Sequence, residues 1–158
     1  KAPRSLIGMI RTNVSSQFQN DATNRFVLSW FNRRPLALSG ANTGGVSTSS
    51  TSPVECAAGS RINFLTWAED HVTEIMSGII YNSTAGAISN ASLSLDGAAS
   101  PQFAQSLSSQ SAGASYYVNV AGSTANSFSE GFHFLTPIFW VGTGTMTAFL
   151  WAASTVRG

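Results

Sequence analysis

The stretch that decides the fold runs from Glu130 to Gly158, EGFHFLTPIFWVGTGTMTAFLWAASTVRG, and it is the most apolar part of the chain. Apolar side chains alternate on both sides of two consecutive segments, 132–141 and 145–153. Alternation with a period of two is typical of a β-strand, and the Gly142-Thr143-Gly144 connection is typical of a tight turn. We therefore predict a β-hairpin with two buried faces.

A strand with two buried faces must pack against other parts of the protein on both sides. A strand with one face in water would carry polar residues at every second position, and these segments do not. In a chain of 158 residues, we expect the second cover to be another copy of the same chain. The residues that we predict in this interface are His133, Leu135, Phe139, Val141, Phe149 and Trp151.

The remainder of the chain alternates between short β-prone segments and polar turns, and no segment has a convincing helical pattern. Residues 39–60 are nearly low-complexity and predict a long surface loop. Eight to ten strands with frequent turns predict an all-β fold, an antiparallel β-sandwich or jelly roll, in a single domain over residues 1–158. Before the closing stretch, we predict strands at 5–16, 26–31, 36–38, 62–68, 72–82, 93–95 and 114–121, with 102–110 left ambiguous.

The charge pattern argues against several function classes. Charged residues are 9% of the chain, against about a quarter in an average soluble domain. The first 34 residues hold six basic side chains and one acidic, a net of +5, while the rest of the chain carries −4. A total of +1 without a dense basic patch predicts no nucleic-acid partner, although a contact between the basic end of one subunit and acidic loops of another remains open.

Cysteine content and hydropathy set further limits. Cys56 is the single cysteine, so no internal disulfide scaffold is possible. No run of about 18 apolar residues occurs, and we therefore expect no membrane insertion. The chain opens on Lys1 without an initiator Met, which is consistent with a processed or truncated piece of a longer protein.

Four stretches share a texture of strand-and-turn phrases. They are SLIGMIRTN at 5–13, NRFVLSWFNRRPLALSG at 24–40, INFLTWAEDHVTEIMSGIIYNSTAGAISNASLSLDG at 62–97 and SEGFHFLTPIFWVGTGTMTAF at 129–149. These stretches resemble C-terminal domains of tail fibre and spike proteins of tailed bacteriophages. The resemblance implies a jelly roll similar to those of the tumour-necrosis-factor-like superfamily, assembled as a homotrimer. It also implies a virion protein, built in the host cytoplasm and displayed outside the cell. Its partners would be itself, other virion proteins and host-surface polysaccharide, with no cofactor.

Nucleophilic catalysis is not predicted. A reactive Ser or Cys needs a nearby base that a third group orients, and the only histidines are His71 and His133. His133 lies between Phe132 and Phe134, and we interpret it as a structural imidazole at the subunit contact. Because Cys56 has no identifiable base in its segment, we expect the protein not to be an enzyme.

The acidic residues offer weaker alternatives. Glu69, Asp70 and Glu74 form the one acidic cluster, which could act in glycoside hydrolysis. A metal ion could instead draw on Glu69, Asp70 and His71. Three adjacent loop residues rarely converge on one ion, so we interpret them as solvated charges and predict no metal. A polysaccharide depolymerase is therefore the least favoured hypothesis.

Glycan binding is the main alternative to a purely structural role. Sugar sites pair an exposed aromatic ring with amide or carboxyl groups, and Trp67, Glu69, Asp70 and Tyr117 are the candidates. For the tryptophans we favour a core or interface position. Two hypotheses follow: a virion structural protein that acts in host attachment or fibre capping, and a secreted or surface lectin-like module that binds glycan as a monomer.

Overall fold

A computed structural model describes residues 7–31, 34–97, 101–108, 111–124 and 129–157. No α-helix occurs in this part of the chain, and the predicted all-β fold is confirmed. The strands are β1 (Gly8–Ile10), β2 (Asn24–Arg25), β3 (Val27–Ser29), β4 (Leu36–Ala41), β5 (Val46–Thr48), β6 (Val54–Glu55), β7 (Ile62–Thr66), β8 (His71–Asn82), β9 (Ile88–Leu95), β10 (Pro101–Ser108), β11 (Ser115–Thr124), β12 (Gly131–Val141) and β13 (Met146–Arg157), with a 3-10 turn at Ala58–Ser60.

Two antiparallel sheets pack as a sandwich. The first sheet has the order β10-β9-β12-β7-β2, with β6 also paired to β12 and with β2 parallel to β7. The second has the order β11-β8-β13-β4, with β5 also paired to β13. From β7 onward the chain crosses between the sheets at most connections, and β9-β10 is the exception. This interleaved order is that of a jelly roll, which the sequence predicts.

The core lies between the sheets and is built from the inward positions of every long strand. β8 contributes Val72, Met76 and Ile80, which alternate with outward residues, as a period of two requires. Opposite them lie Leu135, Phe139 and Val141 of β12 and Ala91 and Leu93 of β9. These side chains are at most 1% exposed, so the core is complete within one copy of the chain.

The predicted closing hairpin is wrong. β12 pairs with β6, β7 and β9 of the first sheet, whereas β13 pairs with β4, β5 and β8 of the second. The connection between them therefore crosses the sandwich. Hydrogen bonds tie each end to its own sheet: Gly142 N donates to Ile88 O at 2.8 Å, and Ser83 N donates to Thr145 O at 2.9 Å.

A glycine makes this crossing possible. Gly144 has φ +78°, a region that L side chains rarely adopt. A Cβ at this position would also meet the side-chain oxygens of Asn82 and Thr84 at 2.4 and 2.6 Å. Asn82 further donates from Nδ2 to Thr143 O at 3.2 Å, so the crossing is clamped to the end of β8.

The outer face of β12 is covered by the chain itself, not by a second copy as predicted. Phe132 packs against the buried cluster of Leu28, Leu65 and Trp67, and its ring lies 6.1 Å from that of Phe26. Further along the strand, Thr136 donates a hydrogen bond to Glu55 at 2.8 Å. The N-terminal segment and residues 54–61 therefore supply the cover that the apolar pattern of β12 requires.

Several segment boundaries also differ from the sequence prediction. The segment 39–60, predicted as a long loop, contains the end of β4, β5, β6 and the 3-10 turn. The first predicted strand, 5–16, is reduced to β1 at Gly8–Ile10, and residues 5 and 6 lie outside the described residues. The ambiguous segment 102–110 forms β10 up to Ser108.

Candidate functional site

The outer side of β11, β8, β13 and β4 forms what we call the open face. It carries large apolar side chains at exposed positions: Ile75 is 53% exposed, Tyr117 77% and Trp151 40%. Strand register brings them together, because Ile79 pairs with both Tyr117 and Phe149, and Ile75 pairs with Ala153. Ile79 and Phe149 are half-buried and fill the space between the exposed residues.

The open face has no charged residue along its central length. The outward positions of 73–81, 115–121, 147–155 and 37–41 hold only apolar, aromatic, hydroxyl and amide side chains. Soluble monomers rarely leave a broad apolar surface without charges, because such surfaces associate. The open face therefore has the composition of an interaction surface.

One end of the open face is concave. A groove of about 490 Å³ lies over β8, β13 and β4, with Trp151 and Ile75 on its floor. Ser39, Ser77 and Thr23 contribute hydroxyl groups to its lining, and every lining residue is uncharged. The groove can accept an apolar side chain of a partner, or a neutral ring that stacks on the indole.

Four of the six predicted interface residues do not lie on this face. Leu135, Phe139 and Val141 are 1% exposed and His133 is 5% exposed, all on the inward side of β12. They were predicted as an interface because a core between two sheets and an interface between two subunits give the same sequence pattern. Phe149 and Trp151 lie on the outward side of β13, so their place in an interface stays a prediction.

The four predicted glycan-binding residues are not brought together. Trp67 is 3% exposed and packs edge-on against Trp30, with ring centroids 5.5 Å apart, so its face is closed to a sugar. Asp70 is 2% exposed and accepts a hydrogen bond from Trp67 N at 3.0 Å. Tyr117 pairs with Ile79, which lies eight residues along β8 from His71. Ile79 and His71 are therefore roughly 26 Å apart along the strand, and Tyr117 is far from Glu69 and Asp70, which precede His71. Only Glu69 and Tyr117 are exposed.

His133 has a structural role within its own chain. Its Nδ1 lies 2.6 Å from Asp96 Oδ2, and its Nε2 lies 2.7 Å from Ser129 O. Asp96 also accepts a hydrogen bond from Phe134 N at 3.0 Å, which ties the turn after β9 to β12. With both ring nitrogens engaged, the imidazole holds this corner together.

Two other reactive groups are buried. Cys56 is 3% exposed, and burial raises the pKa of its thiol. Glu74 is fully buried on the inward side of β8, and its carboxylate oxygens have no hydrogen-bond partner among the described residues. Burial raises the pKa of Glu74 to about 7. Both groups are therefore closed to solvent by the described residues around them.

The sequence contained a signal for the open face. Ile75, Ile79 and Tyr81 share one side of β8, while Val72, Met76 and Ile80 share the other. This is the same two-sided pattern as in the closing stretch, but in β8 the second side is exposed. The alternation of apolar residues does not show whether the outer face of such a strand packs against its own chain, as in β12, or stays exposed, as in β8.

The described residues form neither a metal-binding cluster nor a membrane-spanning helix. No three His, Cys, Asp or Glu side chains converge on a point where a metal ion could bind. In the same part of the chain, no helix has the length and apolar character that a membrane span requires.

Comparison with known proteins gives similarity in structure and none in sequence. No protein-family model matches the chain, and no curated protein does either. A chain from the crystal structure of the T13 infectious bursal disease virus particle matches with a TM-score of 0.51 at 10% identity, over 84% of this chain and 34% of its own. The Eiger TNF of S. frugiperda matches with a TM-score of 0.42 at 17% identity, over 80% of this chain and 94% of its own.

These likenesses concern the fold. The virus-particle match, together with the strand order, shows a β-sandwich of the jelly-roll kind. The chain spans about a third of the length of the virus-particle chains that it matches.

Proposed function

We propose that the protein is a non-enzymatic, self-associating module of a virus particle, which forms a homotrimer through its open face. In the finer form of this proposal, it is a fibre, spike or head-decoration domain of a tailed bacteriophage that acts in host attachment or fibre capping. The observation that carries it is the uncharged open face, on which Ile75, Tyr117 and Trp151 are exposed together.

A second copy of the chain is the occupant that best suits this face. The face lacks charges that would select a charged partner, and its mixture of aromatic, aliphatic and hydroxyl side chains is compatible with itself. Aromatic residues are enriched at interface centres, where Trp and Tyr contribute most of the binding energy. The threefold order rests on the resemblance to phage fibre domains, and a virion role suits a fold that also occurs in a virus particle.

The test replaces one exposed isoleucine by aspartate. Ile75→Asp places a charge in the groove of the open face, on the inner strand β8, where association would have to desolvate it. Ile10→Asp is the matched control, because Ile10 is also highly exposed, at 65%, but lies on β1. Size-exclusion chromatography with light scattering should give the wild type and Ile10→Asp three times the 16.6 kDa chain mass, and folded Ile75→Asp 16.6 kDa.

Each outcome decides a part of the proposal. Circular dichroism should show the same β-spectrum for all three proteins, which separates loss of assembly from loss of fold. If Ile75→Asp still forms the trimer, the open face is not the interface. If the wild type is itself a monomer, self-association is refuted.

A glycan-binding monomer is the second candidate, and the groove over β8, β13 and β4, which holds Trp151, favours it. An exposed indole beside the hydroxyls of Ser39 and Ser77 has the composition of a site for a neutral sugar. Binding on a glycan array by a protein that light scattering shows to be monomeric, with loss on Trp151→Ala, would favour this function. A depolymerase would instead reduce the viscosity of capsular polysaccharide and lose that activity in Glu69→Ala or Asp70→Ala.

A further inference from the structure

Two arginines stack on neighbouring rings of β12. Phe132 and Phe134 point to the same outward side of the strand, with ring centroids 6.5 Å apart. The guanidinium carbon of Arg61 lies 4.6 Å from the centroid of Phe134, and that of Arg11 lies 3.3 Å from the centroid of Phe132. At such distances the rings attract the cation and restrict the guanidinium to a few orientations.

Only one of these arginines has a carboxylate partner among the described residues. Arg61 donates from Nε to Glu55 Oε1 at 2.5 Å and from Nη2 to Oε2 at 2.7 Å, a bidentate pair. Arg11 has no ion pair within the described part of the chain. The pair at Arg61 therefore shows what a ring-stacked arginine on this surface binds, and Arg11 presents the same group without the anion.

Arg11 lies in a cleft of about 320 Å³, large enough for a small ligand. We call it the Arg11 cleft, and its lining includes Arg11, Asn13, Gln19, Asn24, Asn63 and Phe132. It is lined by four primary amides and one cation, with no acidic side chain in the lining. An anion that also carries several hydroxyl or amide groups would match this composition.

The amides are held in place and keep unused hydrogen-bonding capacity. Asn13 donates from Nδ2 to Gln19 Oε1 at 3.3 Å, and Asn63 donates from Nδ2 to Asn24 Oδ1 at 3.0 Å. Each primary amide has two N–H donors, so Asn13 and Asn63 each keep one donor beyond these bonds to described residues. These groups can bind ligand hydroxyls without rearrangement, which reduces the entropy cost of binding.

Asp21, the nearest acid along the chain, is already engaged. Its carboxylate accepts hydrogen bonds from Gln19 Nε2 at 2.5 Å and from the Thr23 and Asn24 backbone amides at 2.8 Å each. It is not within ion-pair distance of Arg11 in the described structure, so the guanidinium remains available to an external anion.

We propose that the Arg11 cleft binds a carboxylate-bearing sugar residue, of the uronic or sialic acid class, in a host-surface polysaccharide. Arg11 would hold the carboxylate as Arg61 holds Glu55, and the amides of Asn13 and Asn63 would bind ring hydroxyls. The inference rests on the proposed attachment function and gives it a ligand class. The cleft lies outside the first sheet, on the opposite side of the sandwich from the open face, so assembly leaves it accessible.

The experiment measures binding by titration calorimetry to oligosaccharides of galacturonic acid, glucuronic acid and N-acetylneuraminic acid, and to the methyl esters of the same compounds. At least one free acid should bind, and its ester should bind about tenfold more weakly or worse, because the ester removes the charge but keeps the hydroxyls. Arg11→Gln should cause a similar loss, and Arg11→Lys about a severalfold loss, since lysine lacks the planar bidentate group.

Arg34→Gln is the matched control, because Arg34 is an exposed arginine that lines a different cleft and should leave binding unchanged. Light scattering on Arg11→Gln should show the wild-type mass, so loss of sugar binding is distinguishable from loss of assembly. The proposal is overturned if none of the three acids binds, or if acid and ester bind equally. If Arg11→Gln instead dissociates the oligomer, the missing carboxylate belongs to another copy, and the saccharide proposal is wrong.

Discussion

Glu74 should make the stability of the protein strongly pH-dependent. The side chain is fully buried between Val72 and Met76, and burial raises its pKa from 4.5 to about 7. Because the folded state holds the proton more tightly, the unfolded chain ionises first as pH rises. The stability that the protonated Glu74 carboxyl contributes is fully present below pH 4.5. It falls between pH 4.5 and 7, and above that range it is lost. One pKa unit corresponds to 1.36 kcal/mol, so the loss is about 3 kcal/mol.

The assay compares the wild type with Glu74→Gln, which keeps the shape and removes the titration. Urea unfolding at equal protein concentration, followed by tryptophan fluorescence from pH 4 to 8, gives the free energy of unfolding of each protein. The difference between the two should change by about 3 kcal/mol in favour of Glu74→Gln as pH rises. A pH-independent difference for Glu74→Gln would refute the reasoning.

Two further predictions concern the packing of the first sheet. Arg61→Gln removes the bidentate pair with Glu55 and the stack on Phe134, and should lower stability by about 1 kcal/mol at pH 7. The Arg61 hydrogen bond lowers the pKa of Glu55, so this loss should fade as pH falls below 4.5, which chemical denaturation at pH 3 and pH 7 can measure. Phe139→Ala should cost about 3–5 kcal/mol, because Phe139 is a core residue, and a melting temperature close to that of the wild type would contradict its position.

Strand positions were predictable because they depend on local pattern. The alternation in 72–82 and in the closing stretch predicted β8, β12 and β13 to within a few residues, since a period of two follows from strand geometry alone. Pairing was not predictable in the same way. A short connection with two glycines can join neighbours in one sheet or cross a sandwich. Here Gly142 N donates to Ile88 O of the first sheet and Ser83 N donates to Thr145 O beside the second, so the connection crosses.

The site was harder to predict because burial depends on distant parts of the chain. Trp67 has the sequence context of a sugar-stacking residue, yet Trp30, 37 positions earlier, closes its face. The cover on β12 comes from residues around Leu28 and Phe26, whose segment showed only weak alternation. No sequence pattern indicated a site at Arg11, because Arg11 stacks on Phe132, which is 121 positions away in the chain. Phe149 and Trp151, predicted as interface residues, lie on the open face beside Ile75 and Tyr117, and their burial by a second copy stays a prediction.

The molar mass of the unmodified chain in solution, measured by light scattering over a dilution series at neutral pH, tests most directly whether the open face is buried between copies. We expect three times 16.6 kDa at high concentration, and a fall towards 16.6 kDa on sufficient dilution. A mass of 16.6 kDa at every concentration would mean that Ile75, Tyr117 and Trp151 remain in water, and the proposed assembly would be wrong.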